Sequence, residues 1–210
     1  IVFDKNLQNF SFENIVASHE GEKINLNGLL TGKSKKDFKL TFDNVNLNKV
    51  TPDVDKFKFD GKLNGVVDFK QDGEVFQPTS SLLIEDLFVN NIALGNLDLD
   101  IKGDESLSKF YLSSSLENEN VDSFNADGSL EIIDKKTLLD IDLKFDKFNL
   151  GVLGKIGGDV ITNIRGLASG NARIDGNIDD LDYNGRLFIN QAGMTIPYLN
   201  VDYVFEDRTI

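Results

Sequence analysis

The sequence predicts an all-β protein, and three observations lead to that prediction. First, apolar and polar side chains alternate along most of the chain, as they do from Phe38 to Asp43. A period of two is that of a strand with one buried face, whereas a helix repeats every 3.6 residues. Second, single glycines and short polar runs interrupt the alternation, as turns between strands do. Third, only one stretch of the chain has a helical pattern.

In the first half of the chain, alternating apolar residues mark the strands and polar runs mark the turns. Turns are predicted at 33–37 and at 71–74, the second because it contains the hairpin dipeptide Asp72-Gly73. The strand markers are, in order, Ile1/Phe3, Phe10/Phe12, the run 24–30, Phe38/Leu40/Phe42, Val45/Leu47, Phe57/Phe59, Leu63/Val67/Phe69, Leu82/Ile84, Leu87/Val89, Ile92/Leu94 and Leu97/Leu99/Ile101.

The second half of the chain follows the same pattern. A turn at 103–106 separates it from the first half, and a lysine-containing turn at 134–137 resembles the one at 33–37. The strand markers are Phe110/Leu112, Phe124/Ala126, Leu130/Ile132, Leu139/Ile141/Leu143/Phe145, the glycine-punctuated runs 165–176 and 181–189, and Leu199/Val201/Tyr203/Phe205.

The stretch with helical spacing is 150–158, and its glycines argue against a stable helix because each costs about 1 kcal/mol in a helix interior. A sheet without a helical layer must cover its apolar face with a second sheet, by closure into a barrel, or with something that is not protein. Tightly packed halves would give a sandwich with a dry core. Halves that stand apart would leave a slot for acyl chains, in which each buried CH₂ contributes about 0.8 kcal/mol.

The composition limits the classes of partner. The chain has 210 residues, 40% of them hydrophobic, and is long enough to bury a core. Its net charge of -13 argues against nucleic acid and against electrostatic docking to anionic headgroups, because both need a basic surface. No apolar run approaches the roughly 20 residues of a membrane-spanning helix, and the start has no signal-peptide pattern. Because the chain begins without Met, we expect it to be a piece excised from a longer protein.

The sequence predicts no enzyme: no catalytic residue, no metal and no cofactor. His19 is the only histidine, and without cysteine neither a Cys/His pair nor the usual zinc ligands are present. Gly32-Lys33-Ser34 resembles the end of a P-loop, but Asn27 stands where its first glycine is required. A solvated strand face explains the aspartate groups better than a calcium or glycosidase site does. These groups are Asp98/Asp100, Asp140/Asp142 and Asp179/Asp180/Asp182.

An internal repeat relates the two halves at an offset of roughly 104 residues, which is the signature of a repeat architecture. The aligned segments are 39–47 with 142–150, 61–69 with 166–174, and 94–101 with 198–205. We therefore expect one elongated β domain over 1–210, built from about two repeats at approximately 1–103 and 104–210.

A series of glycine-bounded strands is clearest over about 140–205. It contains, in order, Gly166, Gly170 and Gly176, then Gly185-Arg186-Leu187 and Ile189, then Gly193-Met194 and Ile196-Pro197, and finally Tyr203 and Phe205. This order resembles the C-terminal domain of TamB proteins, a family within the AsmA-like superfamily. The link before Gly185 departs from the family, because Leu181-Asp182-Tyr183 stands where the family often has proline.

The resemblance implies an elongated, curved antiparallel or mixed sheet folded into a β-taco with a hydrophobic inner groove. It implies a periplasmic location, in a full-length protein whose inner-membrane anchor lies outside this chain. TamB-like proteins work with an outer-membrane barrel of the BamA type (TamA-like) in outer-membrane biogenesis and protein assembly. They are implicated in moving phospholipid between the inner and outer membranes, so the partners implied for the groove are phospholipid acyl chains.

The residues expected to line this groove come from both repeats. In the first repeat they are Phe38, Leu40, Phe42, Leu63, Val67, Phe69, Leu97, Leu99 and Ile101. In the second repeat they are Leu130, Ile132, Leu139, Ile141, Leu143, Phe145, Leu187, Ile189, Val201, Tyr203 and Phe205.

Two other classes of function stay open: a glycan- or ligand-binding β-sandwich module of a secreted or surface protein, and a structural spacer. Most phenylalanines share the parity of leucine and isoleucine, which argues against a flat aromatic surface for glycans. A sheet cut within a repeating array leaves unprotected edges, expected near 1–12 and 199–205, and such edges recruit other chains. We therefore expect self-association through an edge strand or the groove in concentrated solution.

Overall fold

The computed structural model describes residues 2–3, 9–51, 57–118, 121–134, 136–155, 158–206 and 208–209. Predictions that involve Ile1, Lys135, Ile156 and Gly157 lie outside the described residues.

The described part of the chain folds as one sheet of fourteen strands. The strands are β1 (Val2–Phe3), β2 (Asn9–His19), β3 (Glu22–Thr31), β4 (Lys35–Asn46), β5 (Phe59–Asp72), β6 (Val75–Val89), β7 (Ile92–Gly103), β8 (Lys109–Asn118), β9 (Val121–Ile133), β10 (Lys136–Asn149), β11 (Thr162–Asn177), β12 (Asp180–Ile196), β13 (Val201–Val204) and β14 (Arg208–Thr209).

Neighbours in the sequence are neighbours in the sheet. The order runs from β1 to β13 without a crossover, and β14 pairs with β12 beside β13. Every pairing among the described strands is antiparallel. The sheet is curved and open. The predicted all-β class and antiparallel pairing are thus confirmed, and the described strands contain no parallel pair that would make the sheet mixed.

The register brings apolar residues of successive strands into rows that cross the sheet. Leu40 lies opposite Leu26 of β3 on one side and opposite Val67 of β5 on the other. Opposite residues of an antiparallel pair point to the same side, so each row stays on one face. One complete row is Leu26, Leu40, Val67, Ser80, Ile101, Leu112, Gly128, Ile141, Ile174 and Tyr183.

Bulges interrupt several strands, and a side chain of the next strand caps four of them. The bulge residue has a positive φ, which is 55° at Asn44 and 52° at Lys147, and its N–H donates to the capping oxygen. Such bulges bend a strand and increase its twist. The capped pairs are Asn14 with Asn27 (2.8 Å), Asn44 with Asn64 (2.8 Å), Asp86 with Asn96 (3.1 Å) and Lys147 with Ser169 (2.9 Å).

Three short 3-10 helices connect strands: η1 (Leu47–Lys49), η2 (Leu150–Lys155) and η3 (Pro197–Leu199). The weak helix expected at 150–158 is therefore a 3-10 helix of six residues. Leu47, predicted to lie on a strand, instead opens η1. The predicted turn at 33–37 is too long, because Lys35 and Lys36 already pair with Asp72 and Gln71 of β5.

Candidate functional site: the apolar face of the sheet

One side of the sheet, which we call the apolar face, carries almost all the predicted groove residues. The register places those on β4 to β12 on this side. Val201 and Tyr203 of β13 continue the same side, because Asp202 between them points the other way and bonds Arg165 and Thr195, and Phe205 is the residue after β13. Val201 and Tyr203 lie opposite Ile196 and Met194 of β12, and all three side chains are more than one-third exposed. The strands thus bring the predicted residues of both halves onto one continuous surface.

The sequence prediction missed other members of the same face. Leu112 and Leu116 lie opposite Ile101 and Leu97, and Ile174 lies opposite Ile141. The signal that marks them is the same alternation, since Leu112 and Leu116 share the parity of Phe110.

Among the described residues, the buried side chains of the apolar face are concentrated at one end, which we call the closed end. Val45 and Leu116, each 2% exposed, are among its most buried side chains, and they form one cluster with Leu47 of η1 and Val152 of η2. Three rings add to this end, because Phe124 lies 5.3 Å from Phe145 and 5.7 Å from Phe148 between ring centroids. Aromatic pairs at such distances are favourable beyond their burial.

The closed end is covered by a segment that crosses the sheet. Strands β8 and β9 separate β10 from β7 in the sheet, yet η2, which follows β10, reaches the β6–β7 turn. Asn90 Nδ2 of that turn donates to the carbonyl oxygen of Val152 at 3.3 Å, and Leu153 packs with Ile92 in the same cluster. Contact across two intervening strands requires that the sheet curve toward its apolar face at this end.

The opposite end of the apolar face, which we call the open end, is half-exposed. Four rings line it, with centroid distances of 6.0 Å from Phe12 to Phe38, 6.5 Å from Phe38 to Phe69, and 6.1 Å from Phe69 to Phe76. All four side chains keep an intermediate exposure. The described residues form a single sheet, so a separate second sheet, which would make a sandwich, does not cover them.

The total accessible surface area also agrees with an open sheet whose apolar face is partly uncovered. The accessible surface is 13799 Å², whereas a compact monomer of 23.4 kDa exposes about 9,700 Å². The excess follows from the single-layer sheet, which leaves its apolar face partly exposed to solvent. An apolar surface of this kind is energetically unfavourable in water unless another apolar group covers it.

A polar pair lies at the margin of the open end. Lys36 and Gln71 are opposite each other on β4 and β5, and Gln71 is also opposite Phe76. The Gln71 amide donates to the carbonyl oxygen of Gly73 at 2.9 Å, but its own oxygen is covered and has no hydrogen-bond partner. The margin therefore places one cation, Lys36, beside four aromatic rings.

The opposite side of the sheet is polar and carries the aspartates considered above. Asp140 and Asp142 accept from Arg173, at 2.7 Å and 3.4 Å, so they take part in ion pairs across β10 and β11. Within the described ranges, no group of three or more His, Asp or Glu residues is arranged to hold a metal ion. His19 ends β2, is exposed, and lies 3.6 Å from Glu20.

Three carboxylates have pKa values below their usual range. The Lys49 ammonium donates to both oxygens of Glu22, at 2.9 Å and 2.8 Å, and lowers its pKa. The Arg165 guanidinium does the same for Asp202. In the β7–β8 loop, the backbone N–H of Lys109 and the Ser106 hydroxyl hydrogen-bond to Asp104 and lower its pKa to about 2.

In the part of the chain that the structure describes, no helix is long and apolar enough to cross a membrane. Comparisons of the chain with protein-family models, curated proteins and solved structures find no match.

Proposed function

We propose that this chain is a segment of a periplasm-spanning, TamB-like protein, whose apolar face binds phospholipid acyl chains and carries them between the inner and outer membranes. The observation that carries the proposal is the continuous apolar face, which stays half-exposed from the four rings of the open end across successive strands. Acyl chains are the partner whose chemistry covers such a surface without a specific pocket.

In this proposal the curved sheet forms a β-taco, and its apolar face is the inner wall of a groove. The row from Leu26 to Tyr183 spans ten strands, which at the usual strand spacing measures about 43 Å along the sheet. One leaflet contributes about half of the roughly 30 Å hydrocarbon core of a bilayer. A complete acyl chain therefore fits lengthwise along one row, across the strands.

The two ends of the face give the bound lipid an orientation. The closed end is filled by side chains of η1 and η2, so an acyl chain would lie toward the open end. Lys36 at the margin would pair with a lipid phosphate. The headgroup would thus stay at the edge of the sheet while the rings of Phe38, Phe69 and Phe76 contact the chain.

The proposed β-taco is built from about two structural repeats. Phe42 precedes the bulge at Asn44 and lies opposite Gly65, whose φ is 125°; Phe145 precedes the bulge at Lys147 and lies opposite Gly170, whose φ is 136°. The offsets agree with the roughly 104 residues found in the sequence. Two repeats would extend the groove along the molecule. By the resemblance alone, the outer-membrane partner would be a BamA-type barrel, and the anchor would lie in the inner membrane.

Photo-crosslinking with purified protein tests the lipid-binding proposal. A benzophenone amino acid replaces Leu143, which is half-buried on the apolar face, or its neighbour Asp142, which is exposed on the polar face. The protein is irradiated with vesicles of phosphatidylethanolamine and phosphatidylglycerol and analysed by mass spectrometry. We expect phospholipid adducts at 143 and none at 142, because neighbouring strand residues point to opposite faces.

Circular dichroism of both variants controls for folding. Adducts at neither position in folded protein would contradict the proposal and favour a structural spacer. Equal adduct yields at both positions would contradict it as well, since they would report contact without a preferred face.

A further inference from the structure

The polar side of the sheet contains a depression of about 560 Å³ over strands β4 to β8. Its volume lies within the usual range of roughly 300–1,000 Å³ for small-molecule sites. The apolar face lies on the other side of the same strands, so the depression, which we call the polar depression, is separate from the proposed lipid groove.

One row of side chains runs along the polar depression. Lys39 lies opposite Asp68, Asp68 opposite Thr79, Thr79 opposite Lys102, and Lys102 opposite Tyr111. The row therefore crosses five strands with one functional side chain from each. Because the pairing register fixes their order, the polar groups are held at regular spacing on a rigid sheet.

Several of these groups have capacity for a ligand. The side chains of Lys102 and Asp100 make no hydrogen bond or ion pair with any residue that the structure describes. Asp68 lies 3.9 Å from the Lys39 ammonium through Oδ2, and its Oδ1 has no hydrogen-bond partner. Asp68 Oδ1 is covered, so the groups that the fold leaves open to a ligand are the Lys102 ammonium as donor and the Asp100 carboxylate as acceptor.

The charges in the polar depression balance, with Lys39 and Lys102 matched by Asp68 and Asp100. A balanced site does not favour a polyanion or a polycation. Tyr111, which is 52% exposed, adds an aromatic ring beside the unused polar groups. Mixed donors and acceptors next to a ring suit a ligand whose hydroxyl groups both donate and accept while its C–H surface packs on the ring.

We propose that the polar depression binds a neutral oligosaccharide, with Asp100 and Lys102 hydrogen-bonding its hydroxyl groups and Tyr111 packing against a sugar ring. The strands run across the depression, so a linear saccharide lies along the row from Lys39 to Tyr111. This site would let the protein contact a glycan on the polar side of the sheet while acyl chains occupy the apolar face.

A glycan array of neutral hexose and N-acetylhexosamine oligosaccharides, probed with the fluorescently labelled chain, tests the proposal. The best-bound oligosaccharide is then titrated by calorimetry against matched variants. We expect Tyr111→Ala and Asp100→Ala to weaken binding about tenfold or more. Tyr198→Ala, at a tyrosine 93% exposed on η3, and Asp98→Ala, on the same strand but outside the depression, are expected to bind as the unaltered chain does.

All four positions are exposed, so the variants are expected to fold, and urea unfolding checks this. Three outcomes would overturn the proposal. These are no bound neutral oligosaccharide, binding confined to sulfated or phosphorylated glycans, and binding that Tyr111→Ala and Asp100→Ala leave unchanged. None of them bears on lipid crosslinking at 143, so the two proposals fail separately.

Discussion

The two ends of the apolar face carry the same kind of side chains but bury them differently. At the closed end, Val45, Leu116 and Val152 are at most 4% exposed. At the open end, Phe38 and Phe69 stack on each other, yet both remain half-exposed. The difference cannot come from hydrophobicity, because phenylalanine is at least as apolar as valine and leucine. The difference in burial comes from whether a segment of the chain packs over that end of the face.

The connections between strands explain the difference. At the closed end, β4 and β10 lead into η1 and η2, whose residues Leu47 and Val152 join the buried cluster. At the open end, β5 and β6 are joined by the two residues Gly73 and Glu74, and such a tight turn cannot reach back over the face. Burial in a single-layer sheet therefore depends on where long apolar connections occur, and the end without them stays available to a ligand.

The largest expected effect compares two leucines on the same face of one strand. Leu116→Ala should reduce the free energy of unfolding by about 3 kcal/mol, because a fully buried leucine leaves a cavity. Leu112→Ala should reduce it by about 1 kcal/mol, because Leu112 is half-exposed and solvent fills the space. Urea unfolding followed by circular dichroism measures both. Equal losses of stability would mean that the two ends are packed alike and would contradict the distinction between a closed and an open end.

A smaller effect is expected where η2 is held across the sheet. The Asn90 side chain donates to Val152 O at 3.3 Å and accepts from Lys58 N at 3.0 Å. Asn90→Ala removes both bonds, so we expect a loss of about 1–2 kcal/mol and faster amide hydrogen exchange in 152–155. Asn91→Ala is the matched control, since Asn91 also has a positive φ but its side chain makes neither bond. Unchanged exchange in η2 would show that Asn90 does not hold the cover.

The fold class could be predicted from the sequence because alternation is local. The spacing of Phe38, Leu40 and Phe42 shows the two-residue period of a strand within five residues. The pairing register places all three on one face, as expected. The difference between the ends could not be predicted. It depends on Asn90 meeting Val152, which is 62 positions away, and no local pattern specifies that contact.

The side chains that cap the bulges could not be predicted from the sequence either. Asn27 and Asn64 each accept a hydrogen bond from a backbone N–H of the preceding strand, and nothing in the alternation marks them out from the other polar residues of their strands. Their role depends on pairing register, which alternation does not fix to a single residue pair. The lipid-lining role assigned to the apolar residues stays a prediction, because a half-exposed row is compatible with any apolar partner.

The smallest expected effect concerns acid stability and again compares the two ends. At the open end, Asp104 has a pKa of about 2, below its usual value of 3.8, because the backbone N–H of Lys109 and the Ser106 hydroxyl stabilise its ionised form. A depressed pKa means that this contribution is complete above about pH 4 and is lost as the pH falls toward 2. Asp104→Asn, which cannot ionise, should therefore melt a few degrees below the unaltered chain at pH 6, and the gap should close near pH 2.

At the closed end, the hydrogen bond from Lys49 is the largest cause of the lowered pKa of Glu22. The melting temperature of Glu22→Gln should therefore also lie below that of the unaltered chain at pH 6, and this gap should also close at acid pH. Added NaCl distinguishes the two carboxylates, because it screens the partly exposed Glu22–Lys49 ion pair more than it weakens hydrogen bonds from the backbone. In calorimetric melts at high salt, the Glu22→Gln gap should shrink while the Asp104→Asn gap persists. A gap for Asp104→Asn that widens below pH 4, or one that salt abolishes, would contradict the hydrogen-bonded origin of its low pKa.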